Sequence, residues 1–332
     1  MSATTTPVKE LASKPKLDET STSTKLKHLM GDYGILVIFA LVFVYLSIFA
    51  ENFLDVDNLT NVVRQSSIIG FIALGMTYVM ITAGIDLSVG SVVGLVGVIV
   101  AMSAPGTGNA FVIPVLLGIA VGAFVGFLSS AMIVWGKILP FLATLAMLAL
   151  ARSAALVVTN GEVEADLSSS LEWLGSGEVG PIPVPVILFF AMAIVADFVL
   201  SKTKFGYHVY AIGGNEESAT KVGISAKRVL IAVYVISGIC AGVAGIVLTA
   251  RLDAGAPLAG TGYELQAIAA VVIGGTSLFG GIGTIRGTVI GVLLVGMVLN
   301  GMNLLGISSY YQQGVQGLIL VLAVLLNRWR TD

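Results

Sequence analysis

The polar side chains inside the apolar stretches of this 332-residue chain are mostly amides and hydroxyls. Gln65 and Ser66 open one stretch, and Thr144 follows Pro140 at the start of another. Asn300 and Asn303 lie one turn apart in a third, and Gln312 and Gln316 open a fourth. Amides and hydroxyls both donate and accept hydrogen bonds without carrying charge. They suit a neutral, hydroxylated solute, and equally a bond to a neighbouring helix. Charged chemistry is sparse. Asp197 is placed to meet Lys202 at an interface, and Arg152 to snorkel outward, with lining the exit of a polar path as its functional alternative. The chain has no G-x-x-x-x-G-K-S/T phosphate loop, no H-E-x-x-H, no C-x-x-C and no G-x-S-x-G. A single cysteine, Cys240, and two histidines, His28 and His208, exclude a disulfide framework and point to no metal site.

A second constellation is the charged interruption Ser201 to Arg228, which holds five of the seventeen Lys and Arg residues. At its centre Asn215 is placed to cap a short helix, with Glu216 and Glu217 in the first turn and Lys221 in the last, each matched to the helix dipole. Ala219 lies within that helix, and Gly223 is placed for the left-handed residue that stops it. A compact amphipathic helix on a basic face suits docking of a partner; an ordinary basic loop is the plainer alternative.

The elements that must hold these groups are transmembrane helices. The chain is 56% hydrophobic and 11% charged, with a mean hydropathy of +0.98. Apolar runs recur at 32–50, 66–83, 88–104, 111–134, 138–158, 183–200, 229–250, 265–280, 287–305 and 310–327, predicting about ten spans. Only helices satisfy their own backbone within such a run in lipid, so the fold class is an all-α membrane protein. With a cytoplasmic N-terminus, fourteen of the seventeen basic residues fall in inner segments; Arg64, Arg152 and Arg251 do not. Segment 159–182, the longest outer loop, carries Glu162, Glu164, Asp166, Glu172 and Glu178 and no basic residue. Both termini are therefore expected in the cytoplasm. Residues 1–31, polar and without an apolar period, read as a disordered tail rather than a signal peptide, followed by a membrane domain over 32–332 with a cytoplasmic loop at 201–228.

Two glycine-rich regions resemble each other. GIDLSVGSVVGLVG begins at Gly84 and GTSLFGGIGTIRGTVIG at Gly275, aligning Gly84, Leu87 and Gly90 with Gly275, Leu278 and Gly281. The match suggests two related halves, spans two to five and seven to ten; interrupted segments at matching places in two halves mark a transport path. Ser88 is placed to cap the third span, with Asp86 beside it pairing with backbone amides at that helix end. Gly118, Gly122 and Gly126, four apart, form a small-residue stripe for close helix packing.

Taken together, GIDLSVGS at 84–91, PFLATLAMLALARSAALVVTNG at 140–161, FGYHVYAIGGNEESATKVGI at 205–224 and GGTSLFGGIGTIRGTVIG at 274–291 resemble the permease subunits of bacterial ABC importers for monosaccharides, of the ribose/xylose/galactoside class. Glu217, Ala219 and Gly223 fit the E-A-A-x-x-x-G coupling motif of that family, with Ser218 in place of the first alanine, and the likeness runs from about residue 34 to 327. The resemblance implies two permease copies, a cytoplasmic ATPase carrying two nucleotide-binding domains on one fused chain, and a periplasmic or lipoprotein sugar-binding protein. The loop 215–223 would be the coupling helix. The chain would bind no cofactor and hydrolyse nothing; ATP-Mg would be used by the partner. It would lie in the inner membrane among lipid, away from nucleic acid, and would bind sugar weakly, ribose being the leading choice. Ser129 and Ser130 depart from the Asn-Gly of the class. The alternatives are a branched-chain amino acid or nucleoside ABC permease, for which Arg152 is the one in-span anchor for a carboxylate, and an ATP-independent secondary transporter.

Overall fold

Two long helices carry the core. Helix α2 (Val56–Ile81) and helix α10 (Ala226–Leu252) have 26 and 27 residues, about 39 Å each at ~1.5 Å per residue, which exceeds the ~30 Å hydrocarbon layer. Every residue of α2 from Ser66 to Ile81 is buried, so the helix is apolar all round because protein surrounds it. A computed structural model describes residues 22–104 and 111–331. Residues 35–332 form one compact unit, and the contacts below lie within it. Around the two central helices stand α3 (Val89–Ser103), α4 (Val112–Val134), α5 (Pro140–Thr159), α7 (Val184–Lys202) and α12 (Ile285–Leu304).

Glycines set the closest approaches. Gly122 of α4 and Gly238 of α10 face each other so tightly that a Cβ on either would run into the other's carbonyl. Gly118 packs on Ile246 and Gly126 on the backbone of Tyr234, so the whole stripe is spent on α10.

Six helices among the described residues are long and apolar enough to cross a membrane: α2, α4, α5, α7, α10 and α12. Three apolar helical stretches are shorter: Gly34–Phe49 at the end of α1 (Thr22–Phe49), α3, and α11 (Tyr263–Ile273). Helix α13 (Ser309–Thr331) closes the chain. The expected span over 265–280 is therefore corrected: α11 has 11 residues, about 16 Å, and the chain leaves the helix at Gly274. Likewise α1 already begins at Thr22, inside the stretch expected to be a disordered tail; residues 1–21 lie outside the described residues.

Instead of a full crossing before α12, the chain uses an extended segment and a half-length helix. After α10, residues 254–260 run back along α3: Gly255 lies against Gly97 and Ala101, Pro257 and Ala259 reach Gly94, and Gly260 reaches Gly90. The segment thus passes about eleven residues of α3, roughly 16 Å, before α11 starts. Two small antiparallel pairings add to the helices. The first joins β1 (Glu164–Ala165) to β4 (Ala254–Gly255), the second β2 (Glu178–Val179) to β3 (Ile182–Pro183). Between β1 and β2 lies α6 (Ser169–Ser176).

The two glycine-rich regions end their helices alike. After α2, Gly84 N donates to Val79 O at 3.0 Å and Ala83 N to Met80 O at 2.9 Å. After α11, Thr276 N donates to Val271 O at 3.1 Å and Gly275 N to Val272 O at 2.9 Å. Ala83 and Gly275 both take positive φ, 60° and 93°. The backbone pattern pairs Ala83 with Gly275 and Gly84 with Thr276, one residue out of the register in which the glycines align.

Replacing Gly122 with Leu should lower the thermal midpoint of the detergent-solubilised protein by the equivalent of about 1–3 kcal/mol or prevent its accumulation, because the α4–α10 crossing has no room for a side chain. Gly161→Ala, where space is open but φ is positive, should cost less; fluorescence-detected size-exclusion melts compare the two.

Candidate functional site

Five of the seven polar residues singled out in the sequence line one cleft. Gln65 and Ser66 come from α2, Asn303 from α12, and Gln312 and Gln316 from α13; Tyr263 and Gln266 of α11 and Gly296 of α12 complete the polar part of the wall. The cleft measures about 100 Å³. That is below the ~300 Å³ at which small-molecule sites begin, so it is narrow in this conformation. No charged side chain lines it among the described residues. Gln312 donates to Asn303 at 2.6 Å across its rim. The remaining two residues are used elsewhere. Asn300 and Asn58 exchange amide hydrogen bonds of 2.9 and 3.3 Å between α12 and α2. Thr144 donates to the carbonyl of Ile85 at 3.1 Å and back to Pro140 at 3.0 Å, which ties α5 to the turn after α2. Sequence reading misses Asn58 and Tyr263 because its second and eighth spans begin at residues 66 and 265, and Gln266, inside the eighth, because its type alone does not show which way it faces.

Arg152 does not snorkel outward. Its guanidinium donates to the carbonyls of Pro257 and Ala259, the latter at 3.1 Å, and so satisfies backbone in the extended segment that no helix or strand can satisfy. Asp197 pairs with Arg286 at 3.2 Å rather than with Lys202, since the start of α12 lies against α7. Asp86, fully buried, takes over the cap expected of Ser88. Its Oδ1 accepts from Ser88 N at 3.0 Å and Ser88 Oγ at 2.6 Å, and its Oδ2 from Ser237 Oγ of α10 at 2.8 Å. The Ser88 hydroxyl is thereby turned away from the α3 amides. Gly84 stands against the Tyr234 hydroxyl, where a Cβ would come within 2.5 Å, and Gly90 against the Glu264 carboxylate and Gly260 O.

The charged loop folds as its residues predict. Helix α8 (Lys204–Gly214) is capped by Thr203, whose hydroxyl accepts from Gly206 N at 3.3 Å. In α9 (Glu216–Lys221) the Asn215 side chain accepts from Ser218 N at 2.7 Å, and Gly223 stops the helix at φ 91°. Glu217 and Lys221 pair at 2.7 Å, an exposed bond of small energy. Ala219 is buried beneath α9, while Glu216, Glu217 and Val222 face outward. The loop is locked to the rest of the unit through α8. Gly213 lies so close to Ile81 O that a Cβ has no room, and that Cβ would fall 2.7 Å from Gly281 N. Gly281 N itself donates to Ile81 O at 2.9 Å, and Tyr210 Oη donates to Gly283 O at 2.6 Å. Burial, then the Asp197 carboxylate, raise the Tyr210 hydroxyl above its ordinary value, so it remains a neutral donor through the physiological range. One helix thus presses on the end of α2 and on the turn that leads into α12, and both of those helices wall the cleft.

Residues 58–324 match the family described as "Branched-chain amino acid transport system / permease component". The chain belongs to this permease family. It is 42% identical to the ribose import permease protein of Escherichia coli over 89% of this chain and 91% of that protein. Against the ribose import permease protein of Bacillus subtilis it is 42% identical over 94% of this chain and 98% of that protein. The D-allose transport system permease protein of Escherichia coli is 39% identical over 90% and 91%. No solved structure matches.

Asp86→Ala should lower the thermal midpoint by the equivalent of about 1–3 kcal/mol per orphaned partner, since Ser88 N–H and both serine hydroxyls lose their acceptor. Asp86→Asn, which keeps one acceptor oxygen, should recover part of that loss in the same melt.

Proposed function

We propose that this permease is the membrane-spanning subunit of an ATP-driven importer that moves a monosaccharide, ribose foremost, inward across the cytoplasmic membrane by alternating access. The observation that carries the reading is the seat of α8 on the ends of α2 and α12. A partner ATPase receives Glu216, Glu217 and the outward face of α9 in a groove. Movement of α9 passes through α8 to Ile81 and Gly283. Sixteen residues of rigid helix, about 24 Å, carry it along α2 to Ser66 and Gln65 in the cleft. The chain supplies no nucleotide site; ATP-Mg is bound and hydrolysed by that partner.

The relatives that carry sugars support the substrate class, and so does the wall of the cleft, which offers amides, one aliphatic hydroxyl and one phenol. The family description supports an amino acid as second reading. Against it, Arg152, the anchor the sequence offers to a carboxylate, is engaged by two backbone carbonyls, and Arg64 of α2 is paired with Glu178. The full assembly has two copies of this chain, an ATPase of two fused nucleotide-binding domains and a periplasmic or lipid-anchored sugar-binding protein. In it the chain has ten membrane segments, α11 being a partial one, with both termini in the cytoplasm. The common turn after α2 and α11 supports descent of those two regions from one repeat.

Co-purification of the tagged chain from native membrane, with ATPase assays in nanodiscs, tests the reading: an ATPase stimulated by ribose-loaded receptor is expected. A chain that purifies alone and transports without ATP would leave the secondary-carrier alternative standing. Within a working assembly, Glu216→Lys with Glu217→Lys should abolish uptake by losing the ATPase. Gly213→Leu should keep the ATPase bound, because α9 is untouched, yet reduce ribose uptake at least about tenfold by forcing α8 off Ile81.

A further inference from the structure

We infer that the start of α11 is a station that holds the sugar by its hydroxyls in mid-crossing, with Gln266 and Tyr263 of α11 and Ser66 of α2 as its contacts. The inference rests on the importer reading and adds a binding site within the membrane domain to it. Its first ground is the break in the chain. Helix α11 begins only after the extended segment has run down α3 to Gly90, so its first turn starts inside the bundle, with Tyr263 N bonded to Gly260 O at 3.1 Å and Gln266 N to Gly262 O at 3.2 Å. Interrupted helices with ends at that depth are where transporters hold their cargo. The cleft lies at that end, since Tyr263 is the first helical residue and Gln266 stands one turn later.

The second ground is Ser66. Its hydroxyl lines the cleft, the residue is 1% exposed, and the oxygen has no hydrogen-bond partner. Next to it in the same helix, Ser67 donates to Val63 O at 2.8 Å, and Thr77 likewise donates to Ala73 O at 2.7 Å. Ser66 has not taken that ordinary bond, and an unmade buried bond costs about 1–3 kcal/mol. A group retained unpaired beside a polar cleft is aimed at something that enters it. No charged side chain lines the cleft among the described residues, which suits a neutral solute. Amide and hydroxyl groups match the hydroxyls of a sugar ring, and the Tyr263 ring offers an apolar face to its C–H edge. Gly296 of α12 faces Ser66 with no room for a Cβ. The station is therefore closed when α2 and α12 meet at this point and opens when they part. Those are the two helices on which α8 presses.

The test uses the whole assembly in proteoliposomes: this chain, its ATPase and the receptor loaded with ribose. Ribose moved per ATP hydrolysed should fall about tenfold in Gln266→Leu, the scale of one lost hydrogen bond, and by a smaller factor in Ser66→Ala. Ser66→Ala removes one oxygen from an already unpaired site, so its thermal midpoint should not fall, which separates recognition from folding. In addition, Gln266→Cys in a Cys240→Ala background should react with N-ethylmaleimide, and ribose should slow that reaction. Unchanged ribose-to-ATP ratios in both variants, or alkylation indifferent to ribose, would overturn the station while leaving the importer intact. Absence of ATP-dependent ribose uptake by the unmodified assembly would instead remove the importer reading itself.

Discussion

Inside hydrocarbon, a backbone carbonyl or amide without a partner has no water to fall back on. Most of this chain meets that constraint with helices. Between Asp253 and Gly262 it does not, and the surroundings of that segment are organised around the exception. Gly90 and Gly94 make α3 smooth enough for the extended chain to lie against it. Arg152 reaches over from α5 to occupy two of its carbonyls. Asp253 accepts from Leu167 N at 3.2 Å, and β1 pairs with β4, so the stretch between α5 and α6 anchors the point where the segment begins. The arginine that resembles a candidate for solute chemistry is thus a donor to the backbone.

The consequence is a helix that starts inside the bundle. Because 254–260 already covers about half the depth of one crossing, α11 needs only 11 residues to arrive at the turn beside Ile81. That turn and the turn after α2 lie together under α8, held by contacts of backbone on backbone that only glycine permits at Gly213 and Gly280. Such contacts are stiff. A displacement of α8 has no side-chain cushion in which to dissipate and is handed to α2 and α12 as rigid bodies.

A neutral cleft and a buried, fully satisfied Asp86 describe a bundle with little electrostatic machinery of its own. Asp86 holds α3 to α10 through Ser88 and Ser237, and Asp197 holds α7 to α12 through Arg286. Asp86, Arg152 and Asp197 thus join neighbouring elements.

Local chemistry decided what could be read without the fold. Asn215 at the cap, Glu216 and Glu217 in the first turn and Gly223 at positive φ act within one or two helical turns, so their roles are written in adjacent residues. The apolar runs are equally local, since the thickness of a bilayer is counted along one helix. The polar residues Gln65, Ser66, Asn303, Gln312 and Gln316 were recognisable by type, but Thr144 and Asn300 look the same in sequence and are spent on Ile85 and Asn58. Which amide faces the cleft depends on the rotation of each helix against its neighbours. The same holds for the half-length α11: an apolar run of sixteen residues does not reveal that the chain has already descended along α3 before the helix begins. Those outcomes rest on glycine contacts between helices far apart in sequence, Gly122 with Gly238 and Gly94 with Pro257 and Ala259, whose geometry exists only once the bundle has closed.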